Sequence, residues 1–424
     1  MNILIKNTRA LLPDGNRLAV KFADIYISGT DIIAVNDIPD NFTADKTIDG
    51  SNFLTIPGLV NAHTHTYMSV FRNIADDLSF EDWLFGTINP LEDKLTPEDA
   101  YKGALLSCAE MIKTGTTSFL DMHMFKGMTA AAADKLGMRA VISRGLVGSD
   151  RHDEGGIRRM DEALDEMQQW KNDPRISFML APHAIYTCGT DYLSYIIEKA
   201  HEYDLPIHTH LSETVNEVNG CLSQHNMTPT EYLDSLGMFD IRTVAAHCVH
   251  LTDNDIRILK DKNVNVVHNP KSNLKLGNGI APIHALEQAG VNICMGTDSQ
   301  ASNNSLNLFS DMNFAALLHK TGDPQAVGAQ SVLKFASENG ASALGINAGV
   351  IAPGKKADIA MLRLDVPEFY PRNDLLSALV YSANGTETDT VIIDGNIVLE
   401  QGHLTMADEE KIYADAQEVI ERIR

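Results

Sequence analysis

The stretch FLTIPGLVNAHTH, residues 53–65, decides the fold of this chain, because it joins a long apolar run to two histidines. Side chains two positions apart on a β-strand project to the same face, so His63 and His65 at a strand end would offer two imidazoles to one point. Imidazole is a ligand of zinc, iron, copper and nickel. An isolated pair equally fits two hydrogen-bonded histidines at a strand edge, so the rest of the chain has to decide.

Seven further short apolar runs follow the first, and most of them end in a polar or ionisable residue. They cover residues 116–121, 139–144, 176–183, 206–210, 243–247, 264–268 and 291–298. Stretches with helical periodicity lie between them, among others at 97–113, 156–171, 191–203 and 253–262. Strand followed by helix, eight times, predicts a (β/α)8 barrel of the TIM type, because parallel strands buried on both faces are continuously apolar. Functional residues of such barrels lie at the C-terminal strand ends, so the polar ends should face one mouth.

The chain has 424 residues, more than a typical barrel needs, and the additional material lies at both ends. Strand-like runs and turn sequences there predict one small discontinuous β-sandwich domain from residues 1–56 and 353–424, around a barrel of residues 57–352. The runs lie at 3–5, 24–28, 32–35, 357–364 and 390–399, with turns at Asp14-Gly15 and Asp394-Gly395. Residues 407–424 have charges at helical spacing and predict a terminal helix, either solvated or docked.

Composition limits the classes of partner. The chain has 34 Lys and Arg against 57 Asp and Glu, a net charge of −23, which argues against a sequence-independent contact with nucleic acid. The five cysteines are widely spaced and include no C-x-x-C, so we expect reduced, buried thiols. No apolar run reaches membrane-spanning length and no signal-peptide pattern is present. We therefore expect a cytoplasmic enzyme with no membrane contact, either monomeric or a homo-oligomer.

The predicted barrel mouth contains a set of metal ligands. His210 ends the fifth run and Asp298 the eighth, so with His63 and His65 they form a His3Asp set from strands one, five and eight. A catalytic mononuclear site needs three or four protein ligands and an open position. The alternative for Asp298 is a helix N-cap or turn residue. We expect one divalent metal ion, zinc or iron, and we interpret His208 as a deeper, buried histidine bonded to a neighbour.

Two further residues of the mouth suit proton transfer. Glu213 follows His210 by three residues, which sets a carboxylate beside the metal ligands and predicts a proton shuttle. His247 ends the sixth run and would hold the hydroxide nucleophile or the tetrahedral intermediate. A two-metal design bridged by a modified lysine is disfavoured, because residues 179–183 at the fourth run contain no lysine.

Other histidines remain open or structural. His183 ends the fourth run and could contact the substrate, whereas His268 fits a structural and a functional interpretation equally well. We interpret His250 and His123 as structural.

Five segments together resemble the amidohydrolase superfamily, in its branch of deaminases and chlorohydrolases. The segments are PGLVNAHTH (57–65), HLSE (210–213), AAHCVH (245–250), SNLKLG (272–277) and GTD (296–298). The resemblance extends over nearly the whole chain and includes GKKAD at 354–358. Within the branch, a closer resemblance is to the 5'-methylthioadenosine/S-adenosylhomocysteine deaminases.

That resemblance implies a nucleoside pocket. Trp83 and Glu92 would line it, with Glu92 accepting hydrogen bonds from the ribose hydroxyls, and Ser302 would contact the base. Without the resemblance, Trp83 would fit simple packing under a lid, and Glu92 a solvated charge in a loop.

The resemblance also implies a contact with an acidic tail. Arg144 would meet the carboxylate of homocysteine, a pairing that suits the forked geometry of guanidinium. A second arginine of the group corresponds here to either Arg158 or Arg159, because the local sequence is longer than the pattern of the group.

The implied reaction is hydrolytic deamination. Hydroxide attacks C6 of the adenine ring, Asp298 accepts its proton, Glu213 protonates N1, and ammonia leaves to give the inosine analogue. Methylthioadenosine, S-adenosylhomocysteine and adenosine all remain candidate substrates. The alternatives are a guanine or other heterocycle deaminase, a triazine chlorohydrolase, or a non-catalytic metal-binding barrel.

Overall fold

The computed structural model of the protein describes all 424 residues and contains two sheets, one of eight strands and one of nine. The strands are β1 (Asn2–Asp14), β2 (Arg17–Ser28), β3 (Asp31–Val35), β4 (Lys46–Asp49), β5 (Phe53–Pro57), β6 (Leu59–Thr64), β7 (Thr116–His123), β8 (Arg139–Leu146), β9 (Ile176–Pro182), β10 (Ile207–Leu211), β11 (Thr243–His247), β12 (Asn265–His268), β13 (Asn292–Met295), β14 (Ile359–Arg363), β15 (Thr388–Ile393), β16 (Asn396–Glu400) and β17 (His403–Leu404).

The α-helices are α1 (Asn89–Glu92), α2 (Pro97–Lys113), α3 (Met128–Leu136), α4 (Glu154–Trp170), α5 (Thr190–Tyr203), α6 (Val215–His225), α7 (Pro229–Ser235), α8 (Asp253–Asp261), α9 (Pro270–Lys275), α10 (Ile283–Ala289), α11 (Leu308–Leu318), α12 (Ala329–Phe335), α13 (Glu338–Leu344), α14 (Leu375–Tyr381) and α15 (Glu409–Ile423). A π-helical segment, Asp82–Ile88, precedes α1, and 3-10 helices lie at Thr66–Phe71, Met238–Asp240 and Pro367–Phe369. No helix in the chain has the length and apolar character needed to cross a bilayer.

The eight-stranded sheet is the predicted (β/α)8 barrel. Its strands run from β6 to β13 in chain order, each parallel to the next. The first and last strands meet through a bridge between Thr64 and Asp298, and the backbone N–H of Asp298 donates to the carbonyl of His63 at 3.0 Å. Inward-facing apolar side chains, such as Val60 and Val267, fill the interior below the mouth. The fold class predicted from the alternation of strands and helices is confirmed.

The first apolar run, residues 53–62, is not the single strand that we expected. It divides at Pro57-Gly58, where β5 pairs with β14 and β1 of the small sheet and β6 begins the barrel. A Cβ atom on Gly58 would lie 2.1 Å from the Thr117 hydroxyl oxygen, so only glycine allows the chain to pass there. Both halves of the run are largely buried, so an apolar run alone does not show that it contains two strands.

The nine-stranded sheet is the small domain, and both ends of the chain build it. The predicted turns Asp14-Gly15 and Asp394-Gly395 connect antiparallel pairs, β1 with β2 and β15 with β16. The N–H of Ile32 in β3 donates to the carbonyl of Lys355, just before β14, at 2.8 Å. The sheet therefore curves round until its two halves enclose a separate apolar core.

Helix starts follow the capping rules. Thr96 and Thr252 each form a capping box with an aspartate three residues later, before α2 and α8 respectively. α2 has the predicted limits, Pro97–Lys113.

The terminal helix α15 docks against the barrel. Its buried residues Val419 and Ile423 belong to the same apolar cluster as Trp83. The Lys94 ammonium donates to the carbonyl of Ile423 at 2.9 Å, and Arg422 pairs with Asp99 of α2. The end of the chain therefore supports residues 80–95, which follow the first barrel strand.

Replacing Ile423 by alanine should destabilise the protein by about 2 kcal/mol, because the substitution leaves a cavity in this cluster. We place the loss at the low end for Ile→Ala because Ile423 lies in the last turn of its helix. Chemical denaturation followed by circular dichroism measures the change. Glu421→Ala, on the exposed side of the same turn, is the control; equal stability of the two variants would contradict the docking of α15.

Candidate metal centre and adjoining pocket

The four predicted metal ligands meet at the closure of the barrel. The Oδ1 atom of Asp298 lies 3.6 Å from Nε2 of His63 and 3.4 Å from Nε2 of His65. The Nε2 atoms of His65 and His210 are 3.3 Å apart. Ligands bound at about 2.0–2.1 Å around a tetrahedral zinc stand about 3.3–3.4 Å from one another. The spacing of these four side chains therefore fits a shared divalent cation.

Hydrogen bonds at Nδ1 orient two of the imidazoles. Nδ1 of His65 donates to the carbonyl of Met122 at 2.7 Å, and Nδ1 of His210 donates to the carbonyl of His183 at 2.7 Å. This arrangement leaves the Nε2 lone pair of each ring free and aimed at the common point, as metal-binding histidines require.

His63 is oriented by a relay of side chains. Its Nδ1 lies 2.9 Å from Nε2 of His208, whose own Nδ1 lies 2.9 Å from the hydroxyl oxygen of Ser143. His208 is thus the buried, bonded histidine that we expected, and its partner is a predicted ligand. Nε2 of His63 is buried and has no hydrogen-bond partner. A buried nitrogen without a partner is costly, and a cation at the common point would satisfy it.

The two carboxylate oxygens of Asp298 have different contacts. Its Oδ2 accepts hydrogen bonds from the hydroxyls of Ser272 at 2.7 Å and Ser302 at 2.9 Å, which leaves Oδ1 facing the histidines. Ser302 is fully buried against Asp298 and Ser299 and does not line the pocket, so this structure gives it a different contact from the predicted one with the base. The backbone of Asp298 is left-handed, with φ of +63°. Such strain in a residue other than glycine is typical of functional sites.

The protonation states also suit a cation. Burial lowers the pKa of His63 to about 4, and it holds the pKa of His210 well below its usual range. Burial alone would raise the pKa of Asp298, but the imidazole of His63, 3.6 Å away, and the other neighbouring imidazoles hold that pKa well below the ordinary value. Neutral imidazoles and an ionised carboxylate are the forms that bind metal.

Glu213 lies beside this cluster in the β10–α6 loop. Its Oε1 accepts a hydrogen bond from the Asn278 amide at 2.8 Å. The carboxylate of Glu217 accepts from the backbone N–H groups of Ser212 and Glu213, at 2.9 and 2.8 Å, and fixes the loop. Burial and the charge of Asp298 raise the pKa of Glu213 to about 8. A bound divalent cation would oppose this shift and bring the pKa towards neutrality, the range of an effective general acid and base.

His247 completes the set of groups around the common point. Its Nδ1 donates to the amide oxygen of Asn273 at 2.8 Å, and it shares a cluster of possible ligand atoms, all within 4.8 Å of one another, with His63 and His210. Its backbone is also left-handed, with φ of +75°.

A pocket of about 220 Å³ opens above the cluster. Trp83 and Glu92 lie in its wall, as the resemblance implied. The indole N–H of Trp83 donates to the carbonyl of Ala301 at 3.2 Å, and the hydroxyl of Tyr67 donates to Glu92 at 3.1 Å. The other lining residues are His65, Met68, Phe80, Leu84, Phe85, Asn89, Met124, Val147, His183, Tyr186, Thr187, His210, Glu213, His247 and Asp298. The pocket thus has a polar floor and a largely apolar, aromatic wall, which suits a planar heterocycle.

The predicted arginines occupy different positions. Arg144 and Arg159 line a second cavity, of about 460 Å³, which shares Asn89 and Glu92 with the first. Arg158 points away, with a side chain that is 67% exposed. The structure therefore favours Arg159 over Arg158 for any contact with a substrate.

Of the other histidines considered in the sequence, one lines the pocket and three lie outside it. His183 lines the pocket, and its Nδ1 lies 3.0 Å from the hydroxyl of Thr187. His268 is buried outside the pocket, with its Nε2 3.2 Å from that of His319. His123 pairs with the buried Glu166 at 3.0 Å, and Nε2 of His250 donates to the carbonyl of Asn278 at 2.7 Å. His250 thus supports the residue that bonds Glu213.

Sequence reasoning missed the residues that orient the site. Ser143, Asn273, Asn278 and Glu217 were not predicted, although Asn273 lies inside the SNLKLG segment. Motif membership could have indicated Asn273. No pattern in the sequence indicates the other three, since their partners are between 4 and 65 residues away.

The sequence matches the amidohydrolase family over residues 54–398. The chain belongs to this family. It is 43% identical over 418 residues, 97% of each chain, to a 5-methylthioadenosine/S-adenosylhomocysteine deaminase of Thermoanaerobacter pseudethanolicus. It is 44% identical over 428 residues, the full length of both, to a 5'-deoxyadenosine deaminase of Methanocaldococcus jannaschii.

Solved structures of other members share the whole architecture of this amidohydrolase. The crystal structure of an adenosine deaminase from Xanthomonas campestris with bound zinc superimposes with a TM-score of 0.95 at 34% identity, covering 100% of this chain and 98% of that one. A zinc complex of an atrazine chlorohydrolase from Arthrobacter aurescens gives 0.91 at 27% identity, covering 99% and 100%.

Replacing His208 by alanine should lower the metal affinity of this amidohydrolase by about 10- to 100-fold, because His63 would lose the group that orients it. Ser143→Ala removes only the far end of the relay and should have a smaller effect in the same direction. Metal content after dialysis against graded chelator measures both. His268→Gln, a change to a buried histidine outside the site, is the control; unchanged affinity in His208→Ala would show that the relay plays no part.

Proposed function

We propose that the protein deaminates an adenosine-type nucleoside, a hydrolysis that releases ammonia and leaves the inosine analogue. The observation that supports this most strongly is the position of Glu213: a buried carboxyl group with a raised pKa stands beside a ready-made set of cation ligands, at the floor of a pocket sized for a heterocycle. Full-length relatives that deaminate adenosine derivatives support the same reaction.

The proposed cation is zinc, held by His63, His65, His210 and Asp298, with iron as the alternative. When bound, zinc supplies Lewis-acid chemistry, lowering the pKa of water to about 7 so that a nucleophile is available at neutral pH. Asp298 would accept a proton from the attacking water, because its Oδ1 faces the cluster and its low pKa keeps it ionised.

The protein's own groups would then move protons and hold charge. Glu213 would donate a proton to N1 of the purine, since burial keeps part of its population protonated near neutral pH. His247 would accept at Nε2 a hydrogen bond from the attacking water or from the hydroxyl that forms at C6, because its Nδ1 proton is donated to Asn273. Asp298 would return its proton to the departing amino group, and the ionised Glu213 would take the proton of the C6 hydroxyl, so that ammonia leaves and the neutral inosine analogue remains.

The upper pocket would hold the nucleoside. Trp83 lies in the wall with its N–H already bonded to Ala301, so its contribution to the substrate is its apolar surface. Glu92 would accept hydrogen bonds from the ribose hydroxyls, alongside the one that it already receives from Tyr67. His183, held at Nδ1 by Thr187, would contact the substrate through Nε2.

A cytoplasmic location is part of the proposal. All five cysteines are free and buried, as expected for a protein of a reducing compartment. Homo-oligomer formation stays a prediction.

Ammonia release from a panel of substrates on metal-loaded protein tests the function. We expect turnover of methylthioadenosine, 5'-deoxyadenosine or adenosine, and much slower turnover of guanine, since Glu92 and the wall of the pocket would have no sugar to bind. A chlorotriazine serves as the control for the chlorohydrolase branch. Turnover of guanine or the triazine alone would assign the chain to a sister activity, and no turnover with metal present would indicate a binding protein.

Glu213→Gln should retain the metal while deamination falls by about 10²- to 10⁴-fold, the usual contribution of a general acid and base. Glutamine keeps the shape of the side chain and can still hydrogen-bond Asn278. The fall in deamination therefore reports the loss of the transferable proton. Steady-state kinetics and metal analysis on the same preparation measure the two effects. Glu231→Gln, a capping residue of α7, is the matched control; retained turnover in Glu213→Gln would remove Glu213 from the mechanism.

A further inference from the structure

The second cavity, beside the catalytic pocket, is a polar chamber with an unusual balance of charge. Arg144 and Arg159 line it together with Glu92 and Asp93, and Asn89, Glu92, Met124 and Val147 line both chambers. Because the two chambers share these four residues and Glu92 is the proposed ribose contact, a group attached to the 5' carbon of a nucleoside in the first would lie next to the second. The charges of the second chamber therefore decide which 5' substituents are accepted.

Arg144 is not a free cation in this chamber. Its Nη1 is occupied by the carbonyl of Gly145 at 3.0 Å, the carbonyl of His123 at 3.4 Å and the sulfur of Met124 at 3.2 Å. Its Nε donates to Oε2 of Glu162, in α4, at 3.0 Å. Only Nη2 has no partner in the protein.

This pattern limits how Arg144 can recognise an anion. A guanidinium group binds a carboxylate with two parallel hydrogen bonds, either from Nη1 and Nη2 or from Nε and Nη2. The backbone already blocks the first pair of donors, and Glu162 takes one donor of the second. A carboxylate that entered the chamber would obtain a single bond from Arg144, or would have to displace Glu162.

The other charges do not reverse this effect. Arg159 is the second cation of the chamber, and its Nη1 donates to the carbonyl of Val147 at 3.3 Å. In the lining itself, the carboxylates Glu92 and Asp93 equal the two guanidinium groups in number, and Glu162 pairs with Arg144 and with Arg158 from outside the chamber. The chamber therefore has no excess of positive charge to attract an anion.

We propose that Glu162 is a specificity-determining residue, which engages Arg144 and so selects for nucleosides with a neutral 5' substituent over those whose substituent carries a carboxylate. This inference rests on the proposed deamination and names its substrate class. Glu162 is well placed for such a role, since it bridges the buried Arg144 and the exposed Arg158. Removing its charge frees the Nε and Nη2 pair without touching the metal cluster or the pocket floor.

Three nucleosides test the proposal on metal-loaded, full-length protein. Methylthioadenosine has a neutral tail, S-adenosylhomocysteine has a carboxylate and an ammonium group, and 5'-(2-carboxyethylthio)-5'-deoxyadenosine has a carboxylate alone. The measured quantity is kcat/KM for each acid-tailed nucleoside, divided by kcat/KM for methylthioadenosine. Glu162→Gln should raise both ratios by about fivefold or more, because a partly buried charge-assisted bond no longer competes for Arg144.

Two further variants serve as controls. Glu162→Ala should move the ratios in the same direction, which separates loss of charge from any effect of the glutamine amide. Asp165→Asn neutralises a carboxylate on the same helix that pairs with Lys126 at 3.1 Å on the surface, and it should leave both ratios unchanged. If any change of charge on helix α4 alters the ratios, Asp165→Asn will alter them as well, and that result would overturn the proposal.

The remaining outcomes are equally decisive. Unchanged ratios in Glu162→Gln would overturn the proposal, and so would a fall confined to S-adenosylhomocysteine, because that result would assign Glu162 to the ammonium group. If wild-type protein deaminates methylthioadenosine and the ratios do not move, only this inference fails. If wild-type protein deaminates adenosine or 5'-deoxyadenosine but none of the three, only this inference fails; if it deaminates none of these five nucleosides, the proposed function fails, and this inference fails with it.

Discussion

The hydrogen bond from the N–H of Asp298 to the carbonyl of His63 is the contact on which the rest of the site depends. It joins the last barrel strand to the first, and in doing so it brings a carboxylate within 3.6 Å of two imidazoles that are 233 to 235 residues away in sequence. Closure of the barrel and assembly of the ligand set are thus one event. The left-handed backbone of Asp298 is stable because its side chain is held by Ser272 and Ser302.

Burial and neighbouring groups give the ionisable side chains around this closure different protonation states. Burial keeps the imidazoles of His63 and His210 neutral, and the pKa of Asp298 stays low, against its own burial, because imidazole rings surround its carboxylate. Glu213 lies close by, and there burial and the charge of Asp298 raise the pKa. Two carboxyl groups in one pocket therefore favour opposite protonation states, which is the condition for one to accept a proton while the other donates one.

The substrate pocket is assembled from parts that are remote from this floor. Trp83 and Glu92 lie in a segment after the first strand, and the terminal helix α15 supports that segment from behind through Val419 and Ile423. The chamber beyond it depends on Arg144 at the end of β8 and on Glu162 in α4. Changes in these outer parts can alter which 5' substituent is accepted while the ligand set stays the same, because Glu92, Arg144 and Glu162 make no hydrogen bond to the four proposed ligands.

The sequence by itself determined the class of fold and the residue types at the barrel mouth, because burial on both faces makes parallel strands continuously apolar and each strand must end at the same edge. It therefore located His63, His65, His210, Glu213 and Asp298 at strand ends. Only the tertiary structure decided which partner orients His63 and that Arg144 is engaged by Glu162. These features depend on contacts between distant segments, whose distances and directions no local pattern of residues specifies.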